Sequence, residues 1–317
     1  MKELQSIFGE RIAAYIRLRR SLGFKFERQA AVLRAFDSYV DKLRYRGMLT
    51  QELAVAFAIA NPRISATECW HHYQFIRHFA EYLATFEPNT PRLNPRALRK
   101  PTQRPIPYVY TDAELTRLLE ATRTVSSRRP IVGITLHSMI GLAASTGLRL
   151  SEIVGLDKVD VDLDRGLMTI RQSKFKKDRL VPLHLTTVAV LRQYVAARDA
   201  AYARHTSPAF FISLWRKRFS KNTVTCAFTE LARSIGLRAP TGRGPSFHGL
   251  RHRFAVHRLV AWYEEGKNVQ AMLPALATYL GHVKYTDTAY YITATSELMG
   301  LAAARYHGSS PEGPIEP

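Results

Sequence analysis

Six prolines between Pro88 and Pro107 cut this chain in two. Proline fixes φ and removes a backbone donor, so a stretch this dense cannot continue a helix or enter a sheet interior. Whatever lies on either side must therefore bury its own core. The same stretch carries Arg92, Arg96, Arg99, Lys100 and Arg104, and reads as an extended basic tether. The expected division is a helical domain at 1–87, a linker at 88–110, a larger domain at 111–306 and a Gly/Pro/Ser tail at 307–317. At 317 residues the chain is long enough for two cores.

Before the prolines the apolar residues recur at helical spacing. Leu4, Ile7, Phe8, Ile12, Tyr15, Ile16 and Leu18 suggest a helix over 4–22. Val32, Leu33, Phe36, Val40 and Leu43 suggest a second over 27–46. Thr50 is placed to cap a short third helix ending at Asn61-Pro62, and Ser65-Ala-Thr-Glu68 is a capping-box pattern for a fourth, running to about Thr85. Trp70, Tyr73, Phe75, Phe79 and Tyr82 belong to its core rather than to a base-stacking platform, and His71, His72 and His78 are surface or satisfied histidines.

Beyond the linker, Thr111-Asp-Ala-Glu114 opens another helix. Pro130 starts a long apolar helix that Gly147 ends, which leaves Arg149 at a helix-to-helix corner. The period then changes to two. Val159, Val161 and Leu163 alternate with aspartates, Asp164-Arg-Gly166 is a turn, Leu167, Thr169 and Arg171 alternate again, and Arg179-Leu-Val-Pro182-Leu is a third strand. Helices follow near 185–203, 219–235, 248–264, 269–280 and 286–306. The fold class is mainly α, with one small antiparallel three-stranded sheet in the second domain.

Charge narrows the function. The 46 basic and 26 acidic residues give a formal net charge of +20, which is typical of a polyanion binder. Through position 110 there are 18 basic and 9 acidic residues, and beyond it 28 and 17, so both domains are expected to touch the same polyanion. Cys69 and Cys226 make neither a disulfide framework nor a metal set. No apolar run is long enough to span a bilayer and the N-terminus lacks a signal-peptide core, so no membrane and a cytoplasmic location are expected.

The chemistry is concentrated between Ser246 and Tyr291. His248-Gly-Leu-Arg251-His252 is followed by Leu280-Gly-His282 and then by Tyr290-Tyr291; upstream stands Thr146-Gly-Leu-Arg149-Leu-Ser-Glu152. Arginine grips phosphate oxygens in a planar fork, histidine can donate to them or move a proton, and tyrosine can attack phosphorus. His248 and His252, four apart, could pair on a metal, but no third ligand is placed. Any one of these residues alone would more often be structural; their joint order carries the argument.

These motifs strongly resemble the tyrosine recombinases, the phage-integrase family, across about 111–305. The resemblance implies a four-helix, SAM-like core-binding domain followed by a mixed α/β catalytic domain. It gives Arg149, His248, Arg251 and His282 the scissile phosphate and makes Tyr291, nine residues after His282, the nucleophile. Lys174, which opens Lys-Phe-Lys-Lys-Asp-Arg-Leu-Val-Pro, becomes the acid that protonates the leaving 5′ oxygen. Phe175 replaces the usual turn glycine, so Lys176 or Lys177 competes for that role, as Tyr285 and Tyr290 do for the nucleophile's. Glu152 braces the arginines and Tyr290 supports Tyr291. Arg17, Arg20, Lys25, Arg99, Lys100, Arg104, Lys176, Lys177, Arg179 and Arg243 are candidate DNA contacts.

The implied activity is site-specific recombination through a covalent 3′-phosphotyrosine, without metal, ATP or other cofactor. The partners would be duplex DNA carrying a specific site and a tetramer on it, either of this chain alone or with sister recombinases, in the nucleoid. A type IB topoisomerase-like enzyme and a catalytically silent DNA-binding accessory protein are the alternatives.

Overall fold

The computed structural model describes residues 4–100, 108–128, 130–171, 178–202, 206–238, 244–281 and 300. The chain divides into two compact units, Met1–Arg104 and Pro105–Pro317.

The first unit holds α1 (Gly9–Ser21), α2 (Glu27–Lys42), α3 (Gln51–Ile59) and α4 (Ala66–Leu83). Thr50 and Ser65 cap α3 and α4, accepting from the backbone N–H of Leu53 and Glu68, and each satisfies one of the orphan donors of a first turn. Phe8, Ile12, Leu33, Phe36, Phe57, Tyr73, Ile76 and Phe79 fill the core. Ile7, Leu18 and Leu43 fall on the exposed side instead, because α1 and α2 each bury only one stripe. Buried Asp37 on α2 ties down the entry to α1 by accepting from the backbone N–H groups of Gln5 and Ser6 and from the Ser6 hydroxyl.

The first half of the proline stretch is not a free tether. Leu93 and Thr90 are buried, the Tyr73 hydroxyl donates to the Asn94 carbonyl at 2.6 Å, and Gln74 Nε2 donates to the Pro95 carbonyl at 3.0 Å. Prolines forbid a helix there, but they leave carbonyls free to be bound by α4. Arg104 lies outside the described residues.

The second unit is built on α6 (Pro130–Thr146), which α5 (Asp112–Arg128), α8 (Leu185–Ala201) and α10 (Phe247–Glu264) surround. Thr111 and Glu114 form the reciprocal capping box at the start of α5. The remaining helices are α7 (Leu150–Gly155), α9 (Lys221–Ser234) and α11 (Val269–Leu280). Two clusters make up the core, one around α6, the sheet, α8 and α9, the other between α10 and α11. Among the described residues no helix is long and apolar enough to cross a membrane.

The sheet runs β1 (Val161–Asp162), β2 (Leu167–Ile170) and β3 (Arg179–Pro182) in antiparallel order. Met168 pairs with Val161 and Val181, and Ile170 pairs with Arg179. The buried face is Met168, Ile170 and Val181, the opposite parity on β2 from the alternation of Leu167, Thr169 and Arg171. A 3-10 turn, Lys158–Asp160, shortens the first strand and leaves Val159 in solvent. Buried Asp160 accepts from the Asp157 backbone and pairs with Arg171. The segment 286–306 and the tail 307–317 lie outside the described residues, apart from Gly300.

Candidate active site

Three helix junctions of the second unit meet at one cluster of guanidiniums. α6 ends at Gly147, whose φ of +64° is the left-handed region that glycine adopts at least cost. Leu148 is buried, and Arg149 then begins α7 in extended backbone. Its Nη1 donates to Glu152 Oε1 at 3.0 Å and its Nη2 to the Gly281 carbonyl at 2.9 Å. Glu152 Oε2 takes the Arg149 backbone N–H at 2.9 Å.

Arg251 projects from α10 and is 1% exposed. Its fork spans two helix ends: Nη1 donates to the Gly147 carbonyl at 2.8 Å and Nη2 to the Leu280 carbonyl at 2.7 Å. The last carbonyls of a helix lack partners and carry partial negative charge, so a guanidinium both satisfies them and is stabilised by them.

Arg179 completes the cluster. It shares the inward face of β3 with Val181, which turns its guanidinium toward α7; Nη1 and Nη2 reach Glu152 Oε1 and Oε2 at 3.1 and 3.0 Å. This bidentate pair is mostly buried. Read from the sequence as a DNA contact, Arg179 instead links the hairpin to the corner that holds Arg149. The signal that could have placed it is the pairing parity that buries Val181. Gly281 closes α11 with φ +66°, and a Cβ there would lie 3.3 Å from Arg179 Nη1 and 3.4 Å from Arg149 Nη1.

The electrostatics follow. Burial alone would raise the Glu152 pKa, but hydrogen bonds and charge from Arg179 and then Arg149 hold it below the usual carboxylate range. Three guanidiniums against one carboxylate leave this group of four with two excess positive charges. His248, one helical turn before Arg251, keeps an exposed edge. Its dense surroundings, then the charges of Arg251 and Arg149, push its pKa down to about 4, so at neutral pH it is an uncharged imidazole. His252 packs edge-to-face on it with ring centroids 4.6 Å apart. Among the described residues no group of three or more His, Cys, Asp or Glu is placed to hold a metal.

The start of α10 is anchored from outside the cluster. Buried Tyr110 donates to the Ser246 carbonyl at 3.0 Å, and a Cβ on Gly249 would lie 2.7 Å from its ring. Arg253 pairs with Asp112 at the start of α5. Val256 is buried in the α10–α11 core.

The structure thus brings Arg149, Glu152, Arg179, His248 and Arg251 together, with Gly281 immediately before His282. Lys174, Lys176, Lys177, Arg243, His282, Tyr285, Tyr290 and Tyr291 lie outside the described residues. Arg17 and Arg20 on α1, Lys25 before α2, and Arg99 and Lys100 are exposed on the first unit; Lys100 Nζ lies 5.2 Å from the Trp70 ring centroid. Cys69 is half-buried and Cys226 exposed.

Comparison with known proteins fits this arrangement. The model of the phage integrase family matches residues 109–297. A putative integrase/recombinase, y4rE of Sinorhizobium fredii, is 41% identical over 305 residues, covering 96% of this chain and 97% of that protein. The tyrosine recombinase XerA of Thermococcus kodakarensis is 31% identical over 61% of each chain. Among solved structures, the Tn1549 transposon integrase in complex with transposon right-end DNA has the same fold, with a TM-score of 0.66 at 16% identity over 95% of this chain and 98% of that one. The XerH recombinase bound to its difH substrate aligns with a TM-score of 0.65 at 17% identity over 93% and 84%. The chain belongs to the phage integrase family, the tyrosine recombinases.

Proposed function

We propose that this protein recombines duplex DNA at specific sites by cutting and rejoining one strand at a time through a 3′-phosphotyrosine. One observation carries the reading: Arg149 and Arg179 share the Glu152 carboxylate, and Arg251 lies on the helix-end carbonyls of Gly147 and Leu280, beside His248. A phosphodiester passing through its transition state gathers negative charge on its non-bridging oxygens, and preorganised cations stabilise that charge without reorganising.

In this reading Arg149 and Arg251 grip the phosphate, held in place by Glu152 and the helix-end carbonyls. Tyr291 Oη forms a bond to phosphorus as the bond to O5′ breaks. The phenolic proton leaves through neutral His248 or His282, and Lys174 supplies a proton to the departing O5′. The phosphotyrosine conserves the energy of the broken diester, so religation runs the same steps backwards. The exposed cations of the first unit add backbone affinity. Support for a tetramer on DNA comes from neighbours of the same fold, among them a lambda integrase tetramer bound to a Holliday junction. A DNA-bound enzyme of this kind would reside in the nucleoid.

The test uses nicked suicide duplexes drawn from the DNA flanking the coding sequence. The wild-type protein should trap a covalent 3′ adduct, and Tyr291→Phe should bind the same duplex without forming one. An adduct retained by Tyr291→Phe and mapped to Tyr290 or Tyr285 overturns the nucleophile. Efficient relaxation of plasmids that carry no such site would favour a topoisomerase instead.

A further inference from the structure

We propose that the hairpin Ile212–Arg218 is a DNA-contacting finger, with Leu214 and Trp215 as its apolar tip and Arg216 and Lys217 as its phosphate grips. The inference rests on the reading of this protein as a DNA recombinase and adds a contact outside the guanidinium cluster.

The finger is stiff at its base. Phe210, Phe211 and Ile212 are buried, the Phe210 N–H donates to the Leu156 carbonyl at 2.9 Å, and the Lys158 N–H donates to the Pro208 carbonyl at 2.8 Å. Arg218 Nη1 holds the carbonyls of Val154 and Leu156 at 2.8 and 3.0 Å, while Nη2 pairs with Asp157. Those carbonyls end α7, the helix that Arg149 begins. Six residues of helix rise about 9 Å, which is about three nucleotide steps at 3.4 Å each. The finger is therefore mounted within a few base pairs of any phosphate the cluster holds.

Its tip is built to project. Ile212 and Arg218 bridge; the Ser213 N–H donates to the Lys217 carbonyl and the Arg216 N–H to the Ser213 carbonyl, each at 2.8 Å. That pattern is a tight turn followed by a left-handed residue, and the left-handed residue is Arg216, with φ +59°. Leu214 and Trp215 occupy the two central turn positions, 44% and 83% exposed. Trp215 is the most exposed of the three tryptophans, since Trp262 is buried and Trp70 half-buried.

Charge selects the partner. No acidic residue occurs between Asp199 and Glu230, while Arg204, Arg216, Lys217, Arg218 and Lys221 fall within that run. An exposed indole followed in sequence by Arg216, Lys217 and Arg218, of which Arg218 pairs with Asp157 at the base, is suited to a polyanion with apolar surface between its charges. Duplex DNA offers this in the sugars and base edges of a groove, where apolar side chains act as wedges. Packing of an aromatic ring on bases is worth on the order of 10-fold in affinity.

The experiment measures acrylamide quenching and affinity of the full chain on a mixed-sequence duplex of about 30 base pairs, for wild type, Trp215→Phe, Trp215→Ala and the pair Arg216→Ala with Lys217→Ala. DNA should shield wild-type emission, and Trp215→Phe should lose that shielded fraction. Trp215→Ala should bind about 10-fold more weakly with an unchanged salt slope, whereas the double variant should lower the slope by about 1 to 2. Steep, salt-dependent binding with Trp215 still open to quencher, and Trp215→Ala as tight as wild type, overturns the finger and leaves the recombinase reading standing. Absence of duplex binding at any salt overturns both. Shielding that depends on protein concentration without DNA also overturns it, because the tip would then meet a second copy.

Discussion

Arg251 and Arg149 are held in two different ways. Arg251 rests on two neutral carbonyls, so its position is fixed by helix ends. Arg149 shares Glu152 with Arg179, so part of the charge there is neutralised, in exchange for a rigid tie between the α7 corner and the hairpin. Dipoles place a cation at little electrostatic cost, while a carboxylate places it more firmly and weakens it. Combining the two gives a site with excess positive charge that nevertheless does not fly apart.

Glu152→Gln breaks the second arrangement and should have the largest effect. Two mostly buried guanidiniums would lose their counterion, at a cost of about 3–5 kcal/mol in denaturant unfolding, with loss of adduct formation. Acid should mimic it. The folded pKa of Glu152 lies below the unfolded one, so its contribution is present above about pH 4.3 and fades as pH falls through the folded value. Glu152→Gln should flatten that part of the acid limb; an unchanged limb would mean that Glu152 does not hold the corner.

Gly281→Ala probes the point where both cradles meet. A left-handed alanine costs about 1–2 kcal/mol, and the added methyl would press on Arg149 and Arg179. Adduct formation should fall further than stability does. A stability loss with full activity would show that the guanidinium positions tolerate displacement.

His248 should give the smallest effect. Its pKa in the free protein is pushed down to about 4, and a bound phosphodiester would raise it. DNA binding should therefore take up a proton between about pH 4 and 6.5, with affinity rising as pH falls by up to about 10-fold for each unit by which binding raises that pKa. His248→Asn should remove the proton uptake, as measured by titration in buffers of different ionisation enthalpy. Equal uptake by the variant would assign the proton elsewhere.

Much of this was legible in the sequence because it is local. Thr50, Ser65, Thr111 and Gly147 act within one turn of themselves, and the spacing of Arg149, Glu152, His248 and Arg251 already pointed to one site. What stayed hidden is non-local. Arg179 looks like any basic hairpin residue until the pairing of Ile170 with Arg179 fixes which face it shares. The carbonyls that hold Arg251 belong to a glycine and a leucine whose side chains announce nothing. Leu93 was masked by its prolines, which exclude a helix but not docking. Trp215 reads as an ordinary apolar residue until its turn is known to carry it outward.

The Arg149–Gly281 hydrogen bond spans 132 residues of chain, and that separation has a consequence during synthesis. At roughly 10 residues per second a ribosome makes Gly281 about 13 seconds after Arg149. Through that interval the nascent polypeptide carries Arg149 without the helix end that orients its guanidinium. A half-made chain is already a polycation, but its guanidinium cluster is not yet assembled.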